Sequence, residues 1–370
     1  MMKKKVLFIT AYVPHKAAAG EKNTMLMLNE LAETFDVDLI YFKYDYDNPY
    51  LPEKENVRVR KIFKNANWIK IWGIVNLPLL HPVYSIRFSW RKLFLIKRLT
   101  QKENYSAIFL NHSNVFVYGK FLNPHTPKLL FAHDVIIQRA LRSSSKIVQQ
   151  ICRFSEGSCF RLPNAHIFSF SQKDVDLIAR EYNLPAKVCL DYIDPKIIAK
   201  TIEKLENYYV FFGDWTRKEN YEGVVWFFKE VAPSIKKEIF IKIIGRKFPE
   251  EKLNNNNPNI HVEILGFVDD PYKLISEAKA LITPLFHGAG IKVKVIEALA
   301  CGTPVIGTDI AFEGLPDKYS RMMLLANDID SYLKAMEVDI PLEERLRMKK
   351  AFIEDYTSET IPQFLIKLLK

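Results

Sequence analysis

No stretch of this chain reaches the roughly 18 uninterrupted apolar residues that a membrane-spanning helix requires, although 48% of its 370 residues are hydrophobic. The apolar residues fall instead into pieces of core size, enough for two ordinary domains, so the sequence does not read as an integral membrane protein. Met1-Met-Lys-Lys-Lys5 before the apolar run Val6–Val13 imitates a signal peptide. The run is short and broken by Pro14-His15-Lys16, and it reads better as a first strand entering a loop. Cysteine is scarce: Cys152, Cys159, Cys189 and Cys301 form no C-x-x-C pair and no zinc spacing with the scattered histidines. Four buried thiols in a reducing cytoplasm fit that pattern. No D-x-D is convincingly placed to hold a metal, and nothing calls for a cofactor. Repeats and low-complexity tracts are missing too, apart from Asn254-Asn-Asn-Asn257, a surface turn.

Acid is absent from Arg58 to Lys102, where Arg58, Arg60, Lys61, Lys64, Lys70, Arg87, Arg91, Lys92, Lys97, Arg98 and Lys102 stand among Trp68, Trp72, Tyr84, Phe88, Trp90 and Phe94. Cations mixed with amphipathic aromatics suit an anionic membrane surface. A basic solvated face whose aromatics pack inward would be spelled the same way. The net charge of +10 and pI near 9.1 also ask for an anionic partner. Nucleic acid is disfavoured, because no recognised binding motif accompanies the patch.

The rest is a regular alternation of buried strands and helices. Val6–Val13 is a near-continuous apolar run of the kind buried on both faces of a parallel sheet; a helical pattern follows at Met25, Leu28, Leu31 and Ala32, then a strand at Val37–Phe42. Further strands are expected at 57–60, 107–110, 128–132 and 166–170, the last before a helix capped by Ser171. After Pro195 the pattern restarts, with a strand at 208–212, helix 222–231, strands 240–244 and 261–264, helix 272–278, strand 280–282, helix 292–300 and strand 304–307. Residues 343–370 read as terminal helices. Two doubly wound halves follow, 1–200 and 201–370, with function expected at the carboxyl ends of the strands beside a cleft.

Residues 280–315 combine a strand, the loop His287-Gly288-Ala289-Gly290, a helix carrying Glu297, and a second strand. So little side-chain bulk lets backbone N–H groups approach an anion, and the following helix adds its positive dipole end. Glu297, two turns in, is placed to accept from sugar hydroxyls such as those of a ribose. The segment Glu297-Ala-Leu-Ala-Cys-Gly-Thr-Pro-Val-Ile306 resembles the donor-binding segment of retaining glycosyltransferases of family 4, usually worded E-G-F-G-L-x-x-x-E-A-M-A-C-G-x-P-V-I. The wording G-x-G-I-K-x-K-V-x-E followed by E-G-L is similar to a bacterial branch that assembles surface polysaccharides. Ala289 stands where the first acid of that family's E-x7-E pair would be.

The resemblance implies a GT-B fold of two Rossmann-like domains, the first for the acceptor, with a C-terminal helix crossing back. It also implies a nucleotide-diphosphate sugar donor, a glycan or lipid-linked acceptor, and cytoplasmic work at or near the inner face of the membrane. Fixed cations would neutralise the diphosphate without a metal, and Arg217, Lys218, Arg246, Lys292 and Lys294 stand at strand ends; Arg246 and Lys294 are preferred. The family sets an arginine and a lysine on the diphosphate from the loop that here reads Gly213-Asp-Trp-Thr-Arg217-Lys218, so both pairs stay open. Gly288, Ala289, Gly290 and Ile291 line the anion loop. Phe267-Val268 resembles the segment bordering the nucleobase, while Glu313 reaches the donor sugar or caps a turn, as does Asp309. In the first half, His133 ends a strand where the family has a histidine near the reacting sugar, Asp134 is its alternative or orients its ring, and Gly20 is a close-approach residue. An epimerase or phosphorylase on the same fold, or a non-catalytic sugar-nucleotide-binding subunit, would use the same letters.

Overall fold

The structure, a computed structural model, describes residues 3–15, 19–65, 75, 80–190, 193–288, 290–358 and 360–369. The chain divides into two compact units, Met1–Leu190 together with Glu359–Lys370, and Asp191–Ser358. The division falls ahead of residue 200, and the final residues belong with the first unit.

The first unit runs β1 (Lys5–Thr10), α1 (Ala19–Thr34), β2 (Asp36–Lys43), β3 (Val57–Lys64), α2 (Trp90–Lys102), β4 (Ala107–Asn111), β5 (Lys128–Ala132), α3 (Ile136–Ser143), α4 (Lys146–Phe160), β6 (Ala165–Ser169), α5 (Gln172–Tyr182) and β7 (Ala186–Val188). Its strands form one parallel sheet in the order β3-β2-β1-β4-β5-β6-β7. Every residue of β4 and β5 is buried, as two-sided coverage by helices requires. β1 ends at Thr10, short of the expected Val13, because the backbone bends at Ala11 and Tyr12. The Ser171 hydroxyl caps α5 by accepting from the Asp174 N–H at 3.2 Å, as the sequence indicated.

The second unit runs β8 (Tyr208–Phe212), α6 (Lys218–Trp226), β9 (Ile239–Ile244), β10 (Ile260–Gly266), α7 (Tyr272–Glu277), β11 (Ala280–Thr283), α8 (Val293–Ala300), β12 (Val305–Gly307), β13 (Met323–Leu325), α9 (Ile329–Glu337) and α10 (Leu342–Thr357). Its six parallel strands take the order β10-β9-β8-β11-β12-β13. The helix expected at 222–231 is α6 followed by a π-helical turn, Phe227–Val231. α6 lies against the end of β11 so closely that a Cβ on Gly223 would sit 1.9 Å from the Pro284 carbonyl oxygen. Only glycine allows that approach.

The last helix, α11 (Ile361–Leu368), packs on α1 of the first unit. Ile361 and Leu365 are fully buried, and the Phe364 ring meets His166 and Phe168 edge-on, with the Lys187 ammonium 4.5 Å from its centroid. In both sheets the strand order reverses beside the first strand, between β1 and β4 and between β8 and β11. Loops leaving such neighbours diverge and open a crevice at the carboxyl ends.

Candidate functional site

At the β8/β11 reversal, the loop after β8 is Gly213-Asp214-Trp215 and the loop after β11 contains the glycine turn. Gly288 and Gly290 have φ of 131° and 71°, conformations an L side chain resists, so both glycines are required by the turn itself. Ala289 lies outside the described residues. Ile291 is partly buried between the turn and α8.

Lys292 runs beneath the turn. Its ammonium donates to the Gly290 carbonyl and lies 3.7 Å from Glu313, both side chains being nearly buried. These two residues of the candidate set therefore brace the loop from behind. Lys294, in the first turn of α8, crosses the reversal: its ammonium donates to Asn220 Oδ1 at 2.9 Å and lies 3.7 Å from the position a Cβ would take on Gly213. Asn220 in turn donates to the Asp214 carbonyl at 2.8 Å. Burial first, and the neighbouring Lys292 charge second, bring the Lys294 pKa down to about 7.

Arg246, just after β9, donates to Asp214 Oδ2 through Nη2 at 2.7 Å and Nε at 3.3 Å. Burial raises the Asp214 pKa, but hydrogen bonds from Arg246 and Thr216 outweigh it and hold the carboxyl at about 2. The loops after β8 and β9 are laced together, since a Cβ on Gly245 would fall 1.8 Å from the Gly213 oxygen and Gly245 has φ of 131°. Arg217 and Lys218 open α6 and are exposed, with Lys218 3.2 Å from Glu222.

Glu297 on α8 accepts from the Tyr272 hydroxyl at 2.8 Å, and the same hydroxyl lies 3.3 Å from Asp194. Phe267 after β10 is exposed and Val268 half-buried; the Tyr272 N–H donates to Asp270 at 3.3 Å. Asp309 pairs with the Asn327 amide at 2.8 Å.

The reversal in the first unit holds a second cluster. Asn111 donates through Nδ2 to Thr24 at 2.8 Å and Thr10 at 3.3 Å, and its Oδ1 lies 2.9 Å from His133 Nε2. With the amide nitrogen engaged by hydroxyls, Oδ1 is the acceptor and His133 carries its proton on Nε2, leaving the Nδ1 lone pair open. A Cβ on Gly20 would lie 3.9 Å from that Nδ1 and equally far from His112 Nε2, so Gly20 closes on both rings. The two imidazoles stack with centroids 3.7 Å apart. His112 reaches this place through a left-handed backbone, φ 74°, a strain of about 1–3 kcal/mol for a non-glycine residue. Burial lowers both pKa values, that of His133 to about 3, so the pair is neutral at pH 7. Asn111 thus orients the His133 ring, the task considered for Asp134, whose carboxylate meets Arg139 at 3.3 Å.

The basic segment divides in two. Tyr84, Phe88 and Arg87 are buried, Arg60 reaches Asp38 at 3.3 Å and Glu103 at 2.9 Å, and Trp90 and Phe94 face outward at 55% and 65% exposure. Lys70, Trp68 and Trp72 lie outside the described residues. Sequence reasoning missed Asp214, Asn220, Tyr272, Asn111 and His112, which acquire meaning only once neighbouring strands are known.

Residues 206–338 match the family model described as "Glycosyl transferases group 1". An uncharacterized 44.6 kDa protein of the cps region of Klebsiella pneumoniae is 23% identical over 351 residues, covering 88% of each chain. Among solved structures, HepE of Anabaena, in complex with UDP and glucose, superposes with a TM-score of 0.68 at 13% identity over 99% of both chains. WaaG, a glycosyltransferase involved in lipopolysaccharide biosynthesis, gives 0.64 at 12% over 98% of both. The fold is GT-B, and the residues that match the group 1 glycosyl transferase model lie in the second unit.

Proposed function

We propose that this chain moves a sugar, with retention, from a nucleotide-diphosphate sugar to a glycan or lipid-linked acceptor in bacterial surface-polysaccharide assembly, working in the cytoplasm without an essential metal. The observation that carries this reading is the reversal between β8 and β11, where the loop after β11 makes a turn with two positive-φ glycines and Lys294 is held by Asn220 beside the loop after β8. Main-chain N–H groups of Gly288 and Gly290, the Lys294 ammonium and the opening dipole of α8 would take the departing diphosphate, the group whose charge grows most in the transition state. Arg246 would join them by exchanging one of its bonds to Asp214; Arg217 and Lys218 are the outer cations. Glu297, steadied by Tyr272, would accept from the ribose, with Phe267 and Val268 beside the base and Glu313 fixing Lys292 under the turn.

In the first unit His133, its N–H committed to Asn111, would accept a hydrogen bond at Nδ1 from a substrate hydroxyl admitted past Gly20. HepE, of the same fold, holds UDP and glucose, WaaG is involved in lipopolysaccharide biosynthesis, and the Klebsiella relative is from a cps region; all three support this donor and acceptor class.

The test is incubation with a panel of nucleotide sugars, following nucleoside diphosphate release with and without glycan and lipid-linked acceptors. Acceptor-dependent release is expected. Binding without release would make the chain a non-catalytic subunit, and an altered sugar on an intact donor would make it an epimerase.

A further inference from the structure

Arg87 is a buried cation for which the chemistry proposed above has no task. It stands ahead of α2, 4% exposed, and its Nη1 has no hydrogen-bond partner. What it touches is aromatic: the guanidinium carbon lies 4.2 Å from the Tyr12 ring centroid, 5.9 Å from that of Tyr44 and 6.0 Å from that of Phe42. Lys92, in the first turn of α2, brings a second positive charge to the same rings, its ammonium 4.9 Å from the Phe42 centroid and 5.7 Å from that of Phe63. Neither cation forms an ion pair among the described residues. Burial first, and the Arg87 charge second, bring the Lys92 pKa down to about 8, so two like charges share a poorly solvated space.

Ring faces attract a cation without neutralising it, and desolvated charge is costly to a fold unless it is paired. An oxyanion would complete the arrangement. A guanidinium laid over a tyrosine keeps its N–H edge for a two-pronged contact with carboxylate or phosphate, and the neighbouring ammonium adds a point charge. The place in the fold supplies the rest. Tyr12, Tyr44 and Asn65 follow the carboxyl ends of the adjacent strands β1, β2 and β3. Asn65 is buried, and neither polar atom of its amide has a partner. Tyr12 and Tyr44 are partly exposed, so the aromatic floor under Arg87 reaches solvent. Tyr12 also meets His112 edge-on with centroids 4.8 Å apart, and His112 stacks on His133 at 3.7 Å. A row of touching rings thus joins Arg87 to the imidazole that would receive the acceptor hydroxyl.

We infer that Arg87 and Lys92 form an anion subsite of the first unit that selects an acceptor bearing an oxyanion, either the carboxylate of an acidic sugar or a sugar phosphate. The inference rests on reading the first unit as the acceptor's. Ligand-observed NMR titrations of the full chain with glucuronate, glucose 1-phosphate and glucose test it. At least one of the two anions should bind about tenfold or more tighter than glucose, and which one does identifies the source of the oxyanion. Arg87→Met and Lys92→Met should each remove that preference, whereas Lys294→Ala should keep it. Since methionine replaces an unpaired buried charge, the thermal unfolding of Arg87→Met should be unchanged or shifted upward. Where Arg87→Met fails to fold, the half-buried Lys92→Met decides by the same criterion. The inference is overturned if neither anion is preferred over glucose, if the folded methionine variants keep the preference, or if the preference is lost in Lys294→Ala and kept in Arg87→Met. Nucleoside diphosphate release, followed with acidic and neutral acceptors, separates this inference from the reading beneath it. Anion binding that depends on Arg87, with no release from any donor, would fail the transferase reading alone; release indifferent both to acceptor charge and to Arg87→Met would fail the subsite alone.

Discussion

Lys294 concentrates the proposed donor chemistry in one side chain. Its ammonium is desolvated, pressed by Lys292 and held beside Gly213 by Asn220. Lys294→Ala and Arg246→Ala should each lower turnover by about tenfold or more, the usual scale for lost charge stabilisation, with little change in fold. If both remain near wild type, the role passes to Arg217 and Lys218. The depressed pKa also sets a pH dependence. Above about pH 7 Lys294 in the free protein is largely neutral, so an incoming diphosphate must bring a proton, and nucleoside diphosphate affinity should weaken from pH 7 to 9. The slope is at most about tenfold per pH unit, and calorimetry on Lys294→Ala should find it flattened. For stability the sign runs the other way. The native pKa lies below the ordinary 10.5, the unfolded chain holds more protons between the two values, and this residue's contribution to stability rises with pH across that window. Glu297→Gln should weaken nucleotide binding before it affects turnover of bound donor. Unchanged affinity in titrations would return Glu297 to bracing Tyr272.

At the scale of elements, legibility followed sequence distance. The glycine turn, the Ser171 cap and the strand ahead of His133 are local patterns, and each was read from a few adjacent letters. Asp214 with Arg246, Asn220 with Lys294 and Tyr272 with Glu297 join residues on separate strands or helices, and strand order cannot be read from hydrophobic spacing. The π-helical turn at Phe227–Val231 was likewise hidden, because its apolar spacing continues that of α6. Gly245 carries the clearest consequence of this cross-strand lacing. A methyl there would strike the Gly213 carbonyl and strain a positive φ, so Gly245→Ala should cost about 1–3 kcal/mol or more. Urea unfolding should register that loss, and nucleotide affinity should fall with it as the loops after β8 and β9 part.

Across the whole molecule, the chain leaves the first unit at Leu190 and re-enters it at Glu359. α11 is therefore part of the first unit's core despite its distance in sequence. Leu365→Ala, at a fully buried position, should destabilise the protein by about 2–5 kcal/mol, measured by denaturant unfolding. A negligible effect would mean that α11 merely covers α1. The return of the chain also bears on biosynthesis. A ribosome delivers β1 and α1 early but α11 only after the whole second unit, so the unit begun first is completed after the second. Until then the surface of α1 that α11 will cover is open to chaperones and proteases, and a product cut short near residue 358 would carry that exposed surface permanently.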